Sequence, residues 1–160
     1  DFVSKNADFV AFGKSIADAA IANNVTSLEQ LMEVKIGSLT VAAMVDEKLA
    51  TIGEKILGPG LHEMAKKHKL IGDIRGMGVF WGVDLVTDRA TRAPLAPYGA
   101  SSPAMNELVA TCKKLGLFPF NNYNRIHICP PCNVSEAEIR EGIAILDQAL
   151  ASIAHHYTGA

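Results

Sequence analysis

The sequence predicts an α+β fold, in which a small antiparallel sheet of about three strands is covered by helices and preceded by an N-terminal helical segment. Three observations support this fold class. Apolar residues recur at three- and four-residue spacing in several segments, which is typical of helices. Residues 79–86 alternate with the two-residue period of a strand. An Asn-rich stretch at 121–124 separates two short β-prone runs, 117–120 and 125–129, which is typical of a hairpin.

The N-terminal segment has the pattern of two helices. Apolar residues from Phe9 to Ala20 form one helical stripe, and Asn23-Asn24 ends it. A capping box then predicts a second, short helix that ends near Gly37. Two residue pairs have the spacing of that box: Thr26 with Glu29, and Ser27 with Gln30.

The middle of the chain changes from a helical to a strand pattern. An apolar helical stripe begins at Val45, is interrupted by Gly58-Pro59-Gly60 and resumes at Leu61, which predicts a long helix with a kink or a break. The strand at 79–86 is mostly apolar on both faces, so we expect it to be central in the sheet. Its carboxylate, Asp84, is expected to be partly buried beside a backbone amide or an Arg.

The C-terminal part combines a loop, the hairpin and two capped helices. Residues 87–100 lack periodicity and predict a loop. Ser102 with Pro103 has the pattern of a helix start, and Gly116 that of its stop. Ser135 and Glu138 form a capping box for a final amphipathic helix. Its core face comprises Ile139, Ile143, Leu146, Leu150 and Ile153.

Composition excludes several classes of partner. The chain has 160 residues and a net charge of -2, and its 15 Lys and Arg residues are scattered, so nucleic acid is not expected to bind. No run approaches the roughly 20 apolar residues that a membrane-spanning helix needs, and no secretory signal is seen. Three cysteines do not make a disulfide framework. These features predict a cytoplasmic protein without a membrane partner.

Four segments carry a family resemblance. The stretch KLIGDIRGMGVFWGVDLV at 69–86 is similar to the one that opens the small domain of class III (fold-type I) aminotransferases, and three further features follow in that family's order. The resemblance covers about residues 42–156 and looks closest to the taurine–pyruvate aminotransferase-like branch. It implies two parts: a helical segment of uncertain affiliation at 1–37, and the C-terminal small domain at 38–160. The three further features are the excursion Asp88, Thr91 and Pro94, the helix end at 112–117, and the segment 125–131 followed by the helix start at 135–139.

The resemblance implies a C-terminal part of a pyridoxal-phosphate (PLP)-dependent transaminase. Such an enzyme moves an amino group between an amine donor and a keto acid, and the full-length protein would be a homodimer. The Schiff-base Lys, the partner of the pyridinium nitrogen and the phosphate site belong to a large domain. We therefore expect no catalytic residue, no cofactor and no metal site on this chain, which would be inactive by itself. The alternative is a free-standing binding or regulatory module that retains the small-domain fold.

Arg125 and His127 are the candidate substrate-binding residues. They alternate with apolar residues and so share one face of a strand. In many family members an Arg at the position of His127 holds the substrate carboxylate, and this departure leaves Arg125 as the candidate anion contact. The alternatives are a solvated hairpin residue for Arg125 and a hydrogen-bonded sheet residue for His127.

Four other features have structural explanations. Arg75 is expected to bond a nearby carbonyl or carboxylate, and Gly76 and Gly78 are expected to permit a tight or positive-φ backbone. Cys129 and Cys132 have metal-site spacing but lack a second pair, so we expect two reduced thiols. His155-His156 is expected to be the frayed end of the last helix.

Overall fold

The computed structural model describes the backbone of residues 7–131 and 134–160, and the side chains of 10–47, 55–131 and 134–160. It divides into two compact units, residues 1–51 and 52–160. None of the described helices is long and apolar enough to cross a lipid bilayer.

The first unit is helical with one small hairpin. Of the two predicted capping residues, Ser27 is the N-cap of the second helix, and its hydroxyl accepts a hydrogen bond from the backbone N–H of Gln30. The Gln30 side chain accepts a hydrogen bond from the backbone N–H of Thr26 over 2.9 Å. Gly37, with φ of +67°, lies in the tight turn of the hairpin. The elements are α1 (Ala7–Ala22), α2 (Leu28–Glu33), β1 (Lys35–Ile36), β2 (Leu39–Thr40) and α3 (Val41–Ile52).

The second unit is a mixed α/β structure. The interruption predicted at 58–60 lies earlier, as a π-helical turn at Gly53–Leu57, and Pro59 falls in the first helical turn, where its missing N–H is tolerated. The other elements are α4 (Gly58–Lys67), β3 (Ile71–Met77), β4 (Phe80–Asp88), β5 (Ala93–Pro94), α5 (Pro103–Lys114), β6 (Phe120–Asn122), β7 (Arg125–Ile128), α6 (Glu136–Ser152) and a short 3-10 helix (Ala154–His156).

The sheet confirms the predicted antiparallel fold but has five strands instead of about three. Its order is β3-β4-β7-β6, and β5 pairs with β4. β4 is central as expected, and the β6–β7 hairpin turns at Tyr123, which has φ of +54°. The two strands that the sequence did not predict are the edge strand β3 and the two-residue β5.

The core lies between one sheet face and the helices. Val83, Leu85 and Ile126 point from the sheet to this side and are at most 2% exposed. The α6 capping box forms as predicted, and its face residues Leu150 and Ile153 are fully buried. The same core includes Leu61, Met105, Leu108 and Cys112. These contacts leave the opposite face of the sheet without helices from the described part of the second unit.

Candidate functional site

The second sheet face carries a row of charged side chains. Alternation and register place Asp73, Arg75, Asp84, Arg125 and His127 on this side, which we call the outer sheet face. Asp84 lies opposite Arg125 in the register of β4 with β7, and opposite Asp73 in that of β4 with β3. The two sequence-predicted site residues are thus brought onto one face, as the two-residue repeat requires.

Asp84 accepts hydrogen bonds from two arginines. Nε of Arg125 donates to its Oδ1 over 2.5 Å, and Nη2 of Arg125 donates to its Oδ2 over 3.3 Å. Nη2 of Arg75 donates to the same Oδ2 over 2.5 Å, while Nη1 of Arg75 donates to Asp73. The expected Arg partner of Asp84 is therefore present twice, and the carboxylate side chain is only 18% exposed.

The network stabilises the charged forms of its members. Burial alone raises the pKa of Asp84, but hydrogen bonds from Arg125 and Arg75 and their positive charges outweigh burial, so the pKa lies below its ordinary value. The hydrogen bond and charge of Asp84 raise the pKa of Arg125. Two cations and two carboxylates alternate in the row, which leaves it without net charge. Nη1 of Arg125 is not used in the pair, and the Arg125 side chain is 43% exposed.

His127 lies against an aromatic ring. It pairs across the hairpin with Phe120, and the two ring centroids are 5.2 Å apart. Nε2 of His127 is buried and has no hydrogen-bond partner among the described residues, so the expectation of a hydrogen-bonded sheet residue is not met at this atom. A buried ring nitrogen without a hydrogen-bond partner lowers the stability of the folded state. A group outside the described residues that hydrogen-bonds to Nε2 of His127 would remove this cost.

Two glycines shape the entry to β4. A Cβ on Gly76 would lie 2.4 Å from the carbonyl oxygen of Phe80 and from the Trp81 ring, so only Gly permits this approach. Gly78 adopts φ of +55°, and its carbonyl accepts the indole N–H of Trp81 over 2.7 Å. The expected tight backbone at these glycines is confirmed.

Exposed apolar side chains lie beside the charged row. Met77 is 83% exposed, Phe80 61% and Phe120 69%. Met77 and Phe80 are register partners at the β3–β4 turn, and Phe120 stands opposite His127. Large apolar groups clustered at a sheet face are typical of a surface that another protein part covers.

The described lysines lack the setting of a Schiff-base residue. Every described lysine side chain is exposed, so none has the desolvated setting that lowers an amine pKa for Schiff-base formation. A cavity of about 440 Å³ behind β7 is lined mainly by apolar residues such as Leu61, Ile128 and Leu146. Its lining also includes His127 and Glu138, and Glu138 accepts hydrogen bonds from the hydroxyl and backbone N–H of Ser135. No step of transamination is therefore assigned to the described residues.

Arg89 is an organising residue that sequence reasoning missed. Its Nε donates to the carbonyl of Ile71 over 2.9 Å, and its Nη2 donates to the carbonyls of His68 and Ala65 over 2.8 and 2.5 Å. One guanidinium thus bonds carbonyls at the C-terminal end of α4 and the start of β3. The only sequence signal was a cation in a loop of no period, which does not reveal partners 18 to 24 residues away.

The described cysteines are free. Cys112 is buried, and burial raises the pKa of its thiol to about 11, which makes it unreactive. Cys129 is exposed at the end of the hairpin. Cys132, the other half of the predicted pair, lies outside the described residues.

Comparison with known proteins yields matches to aminotransferases. The chain is 30% identical over 170 residues to the taurine–pyruvate aminotransferase of Bilophila wadsworthia, and the match covers 96% of this chain and 33% of that protein. A solved taurine:2-oxoglutarate aminotransferase from Bifidobacterium kashiwanohense, in complex with PLP and glutamate, superposes with a TM-score of 0.66 at 27% identity. The superposition covers 73% of this chain and 26% of that one. The chain resembles the class III aminotransferases. It corresponds to a C-terminal part of these PLP-dependent enzymes and spans a third or less of the matched aminotransferases' length.

The N-terminal part also matches a second family. The sequence profile described as Elongation factor TS matches residues 1–73. The elongation factor Ts of Kineococcus radiotolerans is 34% identical over 110 residues, which covers 64% of this chain and 40% of that protein. Residues 1–37 had no predicted affiliation, and the residue patterns did not suggest this similarity to elongation factor Ts.

Proposed function

We propose that this chain is the C-terminal small domain of a transaminase that moves an amino group between an amine donor and a keto acid. The observation that carries the proposal is the superposition on an aminotransferase at a TM-score of 0.66 with 27% identity. The chain is incomplete in this reading and acts only beside a large domain that supplies the Schiff-base Lys and the PLP site. The full-length enzyme is a cytoplasmic homodimer. A free-standing module is the weaker alternative, because the aminotransferases matched are several times longer than this chain.

The outer sheet face is the surface that meets the large domain. Its exposed apolar residues gain stability when covered, by roughly 25 cal/mol per Å² of apolar surface removed from water. The neutral charge row does not oppose such burial, since each carboxylate already has an arginine partner. In the same complex, a donor or acceptor of the large domain forms a hydrogen bond with Nε2 of His127, which has no partner among the described residues.

Arg125 and His127 contact the acidic substrate in this proposal. Nη1 of Arg125 is the donor for the substrate anion, and the guanidinium is permanently charged. Asp84 fixes the orientation of the guanidinium through Nε and Nη2. His127 offers one donor at most when neutral, and its Nε2 is buried. We therefore assign the main anion contact to Arg125 and a minor one to His127.

The test restores the missing part. The large domain of a taurine–pyruvate aminotransferase is fused ahead of residue 52, and transamination is measured with several amines and keto acids. We expect activity from the fusion and none from the 160-residue chain. Arg125→Ala should raise KM for the acidic substrate by an amount equivalent to about 1.5–3 kcal/mol, more than His127→Ala does, and Arg125→Lys should recover only part.

Two controls separate binding from folding. Thermal unfolding of each fusion checks that Arg125→Ala has not disrupted the pair with Asp84, and Arg140→Ala gives the effect of removing an exposed Arg elsewhere. A folded fusion without activity would contradict the proposed function. Activity with Arg125→Ala indistinguishable from the parent would leave the function standing and remove Arg125 from the anion site.

A second candidate concerns the N-terminal unit alone. We infer that residues 1–51 come from an elongation-factor-Ts-like protein and that the chain joins parts of two families. The match of the Elongation factor TS profile to residues 1–73 favours this, as does the division into units at residues 51 and 52. The proposed change of affiliation lies later than the boundary at 37 and 38 that the sequence predicts, and that boundary stays a prediction.

A further inference from the structure

We propose that Glu107, His155 and His156 form a binding site for a divalent transition-metal ion of the Zn²⁺ class. One ligand atom from each residue, a carboxylate oxygen and two ring nitrogens, lies within 4.8 Å of the other two. This is the one such group of three among the described residues. Two imidazoles and one carboxylate are a known zinc ligand set, which leaves a fourth position for water.

The backbone on both sides of the site is fixed. Glu107 lies on α5 between Met105 and Leu108, both fully buried, and Ile153, also fully buried, precedes the two histidines. The histidines belong to a short 3-10 helix, in which the N–H of His156 donates to the carbonyl of Ile153 over 3.0 Å. The expectation of a frayed helix end is therefore wrong.

The chain after the histidines is anchored too. The backbone N–H groups of Thr158 and Gly159 donate to the carbonyl of Thr87, over 2.8 and 3.1 Å. The site is thus held between α5, the end of α6 and β4. Such anchoring limits the entropy that a bound ion would have to remove from the backbone.

The side chains of Glu107, His155 and His156 lie close together, but Glu107 and His156 are too far apart to form a hydrogen bond. Nε2 of His156 is 3.6 Å from Oε2 of Glu107, which is beyond hydrogen-bond distance, and the two imidazole centroids are 4.1 Å apart. Tetrahedral zinc with bonds of about 2.0–2.1 Å needs ligand atoms roughly 3.3 Å apart. The Glu107–His156 pair nearly has this spacing, and His155 reaches it by rotation of an exposed side chain.

The chemistry favours a borderline metal over Ca²⁺ or Mg²⁺. Neutral imidazole suits Zn²⁺, Ni²⁺ and Cu²⁺, whereas Ca²⁺ and Mg²⁺ prefer oxygen ligands. The bound ion would join α5 to the segment after α6. Because it binds the folded state only, it should raise the unfolding temperature.

The test titrates the untagged 160-residue chain with ZnCl₂ in a phosphine reductant, by calorimetry and by thermal unfolding. We expect one ion per chain and a higher unfolding temperature. Glu107→Gln and His156→Ala should each weaken binding by about tenfold or more. Glu141→Gln and His62→Ala replace an exposed carboxylate and an exposed histidine elsewhere, and should leave binding within about twofold, the scatter expected for residues that are not ligands.

Cys129 provides the decisive alternative, because thiolates also bind zinc. Cys129→Ser should leave affinity and stoichiometry unchanged. Loss of binding in Cys129→Ser, unchanged binding in Glu107→Gln and His156→Ala, or the absence of saturable binding in the parent chain would each overturn the proposal. All variants alter exposed or half-exposed side chains, and circular dichroism verifies that they fold.

Discussion

Asp84 determines the arrangement of the outer sheet face, because two arginines from two different strands donate to it. We predict that Asp84→Asn lowers the free energy of unfolding at pH 7 by about 1–2 kcal/mol. The asparagine side chain has no charge, and its NH₂ group would face the N–H donors of an arginine where Asp84 has an oxygen acceptor. Urea denaturation measures this difference. Glu63→Gln, which removes an exposed partner of Lys66, should change stability by only a few tenths of a kcal/mol.

The pH dependence of this effect has a definite sign. The folded pKa of Asp84 is depressed, so its stabilisation is present above the unfolded value near 3.9 and is lost as pH falls through the folded pKa. The difference between parent and Asp84→Asn should therefore shrink below about pH 4. An equal difference at pH 7 and pH 3 would contradict the assigned role of the charge.

For single residues, the burial of Asp84 was easier to predict from the sequence than the identity of its hydrogen-bond partners. Alternation along β4 indicated that Asp84 would be partly buried, and its expected partner was a backbone amide or an Arg. The identity of the partner depends on strand register, which brings Arg125 across 41 positions of sequence. The unpartnered Nε2 of His127 could not be predicted either, because it depends on what surrounds one atom in three dimensions.

Arg89 links α4 to β3, so removing its side chain should destabilise the contact between these two elements. It bonds carbonyls at the end of α4 and the start of β3, where a cation is also favoured by the helix dipole. We predict that Arg89→Ala lowers the free energy of unfolding by about 1–2 kcal/mol and that Arg89→Lys recovers part, because an ammonium lacks the fork. Denaturant titration measures both.

Arg140→Ala is the matched control for Arg89. It removes an exposed i,i+4 pair with Glu136, which contributes about 0.3–0.5 kcal/mol. If Arg89→Ala and Arg140→Ala were equally destabilising, the carbonyl contacts of Arg89 would have no special role.

Elements with strong local signals were predicted well. Ser102 and Ser135 cap α5 and α6 as their spacing indicated, and Gly116, with φ of +99°, follows α5 at its end. β3 escaped prediction because it is an edge strand with mostly exposed residues, so burial imposes no alternation on its sequence. The interruption of the long helix was expected at its Gly-Pro-Gly, but a Pro in the first turn of a helix does not break it.

At the scale of the whole molecule, the buried core and the elongation factor Ts profile occupy different, partly overlapping parts of the chain. The buried cluster runs from Ile56 to Ile153 and lies entirely within the second unit. The family profile of elongation factor Ts ends at residue 73, whereas the five-stranded sheet begins at Ile71. Helical stripes alone could not indicate a similarity to elongation factor Ts, because amphipathic helices of unrelated families share one period.

The last prediction follows from where the core lies. A chain of residues 52–160 retains every member of the buried cluster, so we predict that it unfolds cooperatively and keeps the sheet. Amide hydrogen exchange should protect β4 and β7 in the shortened and the full chain alike, because their pairing involves only residues 80–88 and 125–128. The complementary chain, residues 1–51, serves as the control and should add no protection when mixed in. If residues 52–160 gave a non-cooperative transition, or if protection of β4 returned only on adding residues 1–51, the two units would depend on each other and the inference of two separate origins would fail.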